Sequence, residues 1–368
     1  MADVTKINGY NIKDANAPHP SNAGSAGQVL KKTETGTEWA DTQFKPEGKS
    51  YLTFSSLSSF TLAVGDATKH WDGTLEYFAS DRTWTAWDGT TTLSAVADDG
   101  EYVLYLRGTG NTVITGDNSN YRWVLTGSNI ACIGNVENLL DYETVESGGH
   151  PTMAPSCYYS MFCGCTSLTQ APTLPATTLA TYCYSHMFEG CTSLTQAPTL
   201  PATTLAESCY YDMFDGCTSL TQAPALPATT LAESCYSYMF CGCTSLTQAP
   251  ALPATTLAEG CYNGMFWGCT ALKLSSTQTD EYTQEYRIPS SGTGTTATDA
   301  LTNMFASTGG TFTGTPEINT TYYLSSDNMI VRDTEIATLN GYVGSMIDGK
   351  VPTAITNAKI DEICGTTI

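Results

Sequence analysis

Basic side chains are scarce in this 368-residue chain: 15 Lys and Arg stand against 36 Asp and Glu, for a formal net charge of −21. That balance argues against nucleic acid or an anionic membrane as partner, because both need clustered cations to displace counterions. Long apolar runs are missing too. No stretch approaches the roughly 18 apolar residues of a membrane span, and the first twenty residues lack the apolar segment of a secretory signal peptide. The expectation is a soluble protein, made in a cytoplasm and not inserted in a membrane. Histidine is rare as well, with only His19, His70, His150 and His186, and no phosphate loop, nucleophile elbow or metal motif accompanies them. A sugar-cleaving site would need two carboxylates facing one groove, and Asp212 with Asp215 reads as readily as a solvated edge. No enzymatic activity, catalytic residue, metal site or cofactor is expected.

Charge is unevenly spread, which suggests segments of different origin. Residues 1–50 balance six Lys against six acids, whereas residues 151–272 carry six acids and no Lys or Arg. Hydrophobic residues still make up 41% of the chain against 14% charged, so a core is affordable but its cover is mostly uncharged polar. The length suits two or three domains.

Repetition dominates the middle of the chain. Cys157, Cys183, Cys209, Cys235 and Cys261 recur every 26 residues, as do Cys165, Cys191, Cys217, Cys243 and Cys269. Within a unit, Leu205, Cys209, Met213 and Phe214 fall at i, i+4, i+8 and i+9, which predicts a short helix ended by Gly216. The run Leu220-Thr221-Gln222-Ala223-Pro224 then predicts a strand held to a few residues by its prolines. A short parallel strand plus a short helix per unit suits a leucine-rich-repeat-like solenoid. Stacking would align Phe162, Phe188, Phe214, Phe240 and Phe266 in one buried column and Leu168, Leu194, Leu220, Leu246 and Leu272 in another. A parallel β-helix is the alternative.

Twelve of the fourteen cysteines lie in this region. Each column holds five, an odd number, at positions that need a small apolar group, so stacked free thiols are expected, with sporadic oxidation between neighbouring units as the alternative. Cys163 and Cys241 make C-x-C pairs without the further ligands a metal needs. They occupy a slot filled elsewhere by Glu189, Asp215 and Trp267. Two more slots vary in the same way, Tyr159/Ser185/Tyr211/Ser237/Asn263 and Ser160/His186/Asp212/Tyr238/Gly264. Such variation marks positions the scaffold does not need. It reads either as drift or as a contact surface for sugar or protein, in which Tyr159, His186, Tyr211, Asp212, Tyr238 and Trp267 are the candidate ligand-binding residues.

The run Met213-Phe214-Asp215-Gly216-Cys217-Thr218-Ser219-Leu220 resembles the surface leucine-rich repeats of the BspA type, across about residues 157–272. That resemblance implies an adhesive module. The longer Pro-x-Leu-Pro segment departs from the type.

Flanking segments have their own patterns. Residues 1–49 carry two hairpin signals, one around Asn8-Gly9 and one joining Gln28-Val29-Leu30 to Gly36-Thr37-Glu38-Trp39. Short strands between turn signals predict a β-sandwich over 50–129. There Trp71-Asp72-Gly73 and Trp87-Asp88-Gly89 read as core tryptophans beside turns, with a sugar platform as the alternative. The repeat segment is placed at 130–275, a divergent closing unit around Asn303-Met304-Phe305 at 276–331, and a helical tail at 332–368. The fold class is thus mixed and β-rich, with several domains.

Ile7-Asn8-Gly9-Tyr10-Asn11-Ile12-Lys13-Asp14 and Gly24-Ser25-Ala26-Gly27-Gln28-Val29-Leu30-Lys31-Lys32 resemble a module near the N-termini of phage tail-fibre and other virion-fibre proteins. The resemblance implies attachment to other virion structural proteins through Ile7, Tyr10, Ile12, Val29, Leu30 and Trp39, and assembly as a homotrimer. It implies a tail-fibre adhesin located in the virion and binding a bacterial surface glycan or protein. The alternative is a head or neck decoration fibre with a structural or weakly glycan-adhesive role.

Overall fold

The computed structural model describes residues 6–7, 10–11, 28–33, 36–41, 44–48 and 51–331. Ile12 and the tail 332–368, with the helices expected there, lie outside the described residues. Two hairpins form near the N-terminus. β1 (Lys6–Ile7) pairs antiparallel with β2 (Tyr10–Asn11), setting Ile7 opposite Tyr10. β3 (Gln28–Thr33) pairs likewise with β4 (Gly36–Asp41), setting Val29 opposite Ala40 and Leu30 opposite Trp39.

The chain is β-rich and built of several sheets. Strands β5 (Leu52–Ser56), β6 (Thr61–Val64), β7 (Thr74–Phe78), β8 (Trp84–Ala86), β9 (Leu93–Ser94), β10 (Val96–Asp98), β11 (Glu101–Thr109), β12 (Trp123–Thr126), β13 (Ile130–Ile133) and β14 (Leu168–Gln170) make two sheets. The larger runs β14–β13–β5–β11–β7–β8 with β10 on β11, and the smaller runs β12–β6–β9. Alternation puts Leu62 and Val64 of β6, and Trp123 and Leu125 of β12, on the buried side. There they share a core with Phe54, Leu106, Trp71 and Trp87. The two tryptophans of the Trp-Asp-Gly turns are each 3% exposed, and their aspartates accept hydrogen bonds from nearby threonines, so both turns are structural.

β13 joins this region to the repeats. It pairs antiparallel with β5 and parallel with β14, which belongs to the first unit. Trp123 N donates to Met161 O at 2.7 Å and Ile114 N to Cys157 O at 2.9 Å. Backbone pairing therefore crosses the division expected at residue 130, and one buried cluster runs from Leu52 to Leu324.

The helix expected in each unit is not there. Among the described residues the only α-helix is α1 (Asn138–Glu146), before the repeats. In its place every fourth residue takes a left-handed conformation, as at Ser208 (φ 51°), Asp212 (φ 52°) and Gly216 (φ 69°). Alternate amides close four-residue turns within the unit: Tyr211 N to Ser208 O at 3.2 Å, Asp215 N to Asp212 O at 3.1 Å. The amides between them reach the next unit: Tyr210 N to Cys235 O at 3.1 Å, Asp212 N to Ser237 O at 3.0 Å, Phe214 N to Met239 O at 2.9 Å. Spacing of four residues is common to a helix and to this turn ribbon, which is why the apolar pattern misleads. The ribbon prevails because a neighbouring unit offers carbonyls to half its amides, a source of bonds a single helix would not use.

Each unit buries Cys209, Tyr210, Met213, Phe214, Cys217 and Leu220, or their equivalents, to between 0 and 3% exposure. The phenyl rings stack with centroids 5.5–5.7 Å apart and planes within 10°, from Phe162 through Phe266 to Phe305. A second stack, Tyr158 to Tyr262, runs beside it at 5.6–5.9 Å. Parallel bridges Gln196–Gln222 and Gln222–Gln248 link the short extended pieces. At the far end Phe266 N donates to Met304 O, and Asp299, Asn303 and Ser307 repeat the left-handed positions. The chain closes with β15 (Gln248–Pro250) pairing β20 (Met329–Val331), and with a sheet of β16 (Lys273–Ser275), β17 (Tyr282–Arg287), β18 (Gly309–Gly310) and β19 (Thr321–Ser325) in the order β17–β19–β16–β18.

Phe214 lies mid-column, with rings on both sides. Phe214→Ala is expected to lower stability by about 3–5 kcal/mol in urea unfolding. A loss below about 1 kcal/mol would show that the column does not hold the units together.

Candidate functional site

Left-handed positions and their neighbours turn side chains out of the ribbon, and the stack lines them up. Tyr159, His186, Tyr211, Tyr238 and Trp267, one from each unit, form a continuous track along one face. Successive ring centroids lie 5.2, 5.4, 6.1 and 6.2 Å apart. Trp267 is the most open at 40% exposure, and the others are half-buried. Tyr238 lies flat over Gly264, where a Cβ would collide with the ring, and this accounts for glycine in that slot.

Asp212 joins the same face. His186 Nδ1 stands 2.8 Å from Glu189 Oε2 and 3.7 Å from Asp212 Oδ2. The six expected ligand-binding residues are therefore brought together. Four others in the strip, Cys163, Glu189, Asp215 and Cys241, were placed in a variable slot by sequence but not joined to one another. The Cys163 thiol hydrogen-bonds Glu189, and the Cys241 thiol hydrogen-bonds Asp215. Where the first slot holds serine, the side chain turns inward: Ser185 Oγ donates to Tyr211 O at 3.2 Å and Ser237 Oγ to Asn263 O at 3.3 Å.

Burial controls the charges. It pushes the Asp212 carboxyl up to about 7 against the pull of His186, and it raises Asp215 as well. Glu189 is held below the ordinary carboxylate range by its hydrogen bond from His186. Burial pushes the Cys163 thiol up to about 11 and the Cys241 thiol up to about 12.

The two cysteine columns are set apart from this face. Cys191, Cys217, Cys243 and Cys269 each point Sγ at the phenylalanine carbonyl of the preceding unit, at 3.0–3.1 Å. A thiol fits there because it is a small apolar group that still offers a weak donor to the carbonyl's second lone pair. All cysteines among the described residues are free, and no group of three or more His, Cys, Asp or Glu side chains there is arranged to hold a metal. Among the described residues no helix is long and apolar enough to cross a membrane.

Of the residues expected to attach the chain, Ile7 and Tyr10 lie in the first N-terminal hairpin and Val29, Leu30 and Trp39 in the second, while Ile12 is outside the described residues. Comparison with known proteins yields no match to a family model, to a curated protein or to a solved structure.

Two measurements follow from these environments. Alkylation with peptide mapping should leave the column thiols unmodified in the native protein and label Cys163 and Cys241 slowly at pH 7.5, faster as pH rises. Labelling of Cys191 or Cys243 before unfolding would contradict the packing. For Asp212, folding raises the pKa from its ordinary 3.8 to about 7, so the folded chain keeps a proton that the unfolded chain releases. Stability from this group falls as pH rises between those values and levels off above about 7. The melting temperature of Asp212→Asn minus that of the wild type should therefore grow over that window, and a difference independent of pH would contradict the burial.

Proposed function

We propose that this chain is a virion fibre protein of the phage tail-fibre kind. On this reading the N-terminal hairpins anchor it to other virion proteins, and the stacked units form a leucine-rich-repeat-like solenoid that displays the aromatic strip to a bacterial surface glycan or protein. The sandwich region serves as the entry cap of the solenoid and residues 276–331 as its exit cap, as repeat arrays require. The protein acts by binding, not by catalysis.

One observation carries the reading: units that are otherwise near-identical differ at the positions whose side chains meet on one face. Drift on an unused surface would scatter polar residues there. The strip instead holds a ring in every unit, the side-chain type that gives large contact area at low entropy cost. The fibre assignment leans on the resemblance of the N-terminal segments, whose hairpins pair Leu30 with Trp39.

An antibody to this chain applied to intact particles should stain the tail tip. Head staining would favour a decoration fibre, and unlabelled particles would overturn a virion role. Native mass spectrometry of the purified chain should show a trimer, and a monomer would count against the fibre assembly.

A further inference from the structure

Two properties of the strip narrow what it accepts. The first is spacing. Backbone bonds join adjacent units directly, and successive rings of the track lie 5.2–6.2 Å apart. A linear glycan in an extended form advances by a similar length with each pyranose ring and can meet one aromatic per unit without losing register. An extended peptide presents same-side residues about 6.7 Å apart, longer than every step of the track, and drifts out of register along its length.

The second property is charge. Glu189, Asp212 and Asp215 sit at the centre of the track with aromatic rings on both sides, and no Lys or Arg occurs anywhere in residues 151–272. The imidazole of His186 is shared between Glu189 and Asp212. Arg122 acts electrostatically on Glu189 and Cys163 from the first-unit end. The carboxylates at the centre thus lack a full complement of cations, and the ring faces beside them attract cations as well.

We propose that the strip binds a linear glycan bearing free amino groups, its sugar rings laid on Tyr159, Tyr211, Tyr238 and Trp267 and its ammonium groups directed to Asp212 and Asp215. This deepens the display reading, because it takes the strip as the contact surface and names the ligand chemistry. Neutral glycans lack the ammonium, and acidic glycans are repelled by the carboxylates. A basic peptide satisfies the charge but not the spacing.

The test uses the full chain, titrated calorimetrically at pH 7 with three probes: hexaglucosamine, its fully N-acetylated counterpart, and a hexalysine peptide. Hexaglucosamine should bind at least about tenfold more tightly than either of the others. The Asp212→Asn/Asp215→Asn variant should lose about tenfold for hexaglucosamine and change little for the acetylated probe. Trp267→Ala removes an exposed ring whose loss leaves the core intact, and it should weaken both sugars. Equal affinity for the acetylated sugar, tighter binding of hexalysine, or no binding of hexaglucosamine would each overturn the inference. Tail-tip staining together with any of these results removes the ligand class and leaves the fibre reading. Hexaglucosamine binding by a chain that labels no particle does the reverse.

Discussion

Every unit of the central stack depends on contact with its neighbour. A lone unit would expose Tyr210, Met213, Phe214 and Leu220, all fully buried in the stack, and would leave every second amide of its ribbon without a carbonyl. It would also hold three residues in a left-handed conformation, at a cost of about 1 kcal/mol or more for each that is not glycine. Only the adjacent rung repays these costs, through ring stacking and backbone bonds together. Continuity at both ends follows from the same need. β13 supplies the first unit with a hydrogen-bonding edge, Trp123 and Phe54 cover the first phenyl ring, and Phe305 covers the last.

The turn ribbon explains how one scaffold tolerates such different side chains in its outer slots. A left-handed residue aims its side chain away from the column, so its identity does not alter the packing within. Ser160, His186, Asp212, Tyr238 and Gly264 can occupy equivalent places because the backbone demands a conformation and not a particular side chain. Asp, His and Gly also adopt that conformation more readily than most residues. The inner positions have no such freedom. Cys217 must be small, must avoid water and must offer a donor to Phe188 O, 3.1 Å away.

Much of this was legible in the sequence, for reasons that can be named. The 26-residue period and the phenylalanine and leucine columns follow from repetition alone, since equivalent residues in a stack must meet. The residues of the outer aromatic strip were found through variation among the units, which separates outer from inner positions without any structure. Misreading the ribbon as a helix had a physical cause: a four-residue spacing of apolar groups fits both. The signal that could have separated them was the run Ser208, Asp212, Gly216, small or turn-forming residues at intervals of four, matched by Gly260, Gly264 and Gly268 in the last unit. The tyrosine column was missed although the same rule separates it: the Tyr210 slot is tyrosine in all five units and buried, whereas the Tyr211 slot varies and faces outward. The pairing of Cys163 with Glu189 needs neighbours 26 residues apart to be read as side by side.

Acidic residues in the stack fall into two kinds, and the contrast bears on function. Glu207, Glu233 and Glu259 recur at one position and are exposed, where solvent screens them and their repulsion costs little. Glu189, Asp212 and Asp215 occur once each in the variable slots and are half-buried, and burial holds Asp212 partly protonated near neutrality. A carboxylate withdrawn from water without a dedicated cation lowers stability. The fold does not require one at these positions, since Tyr238 and Gly264 stand in the slot of Asp212, and Cys241 and Trp267 in the slot of Glu189 and Asp215. The cost is therefore unrelated to holding the units together, and a cation laid over the strip, as in the proposed glycan, would offset it.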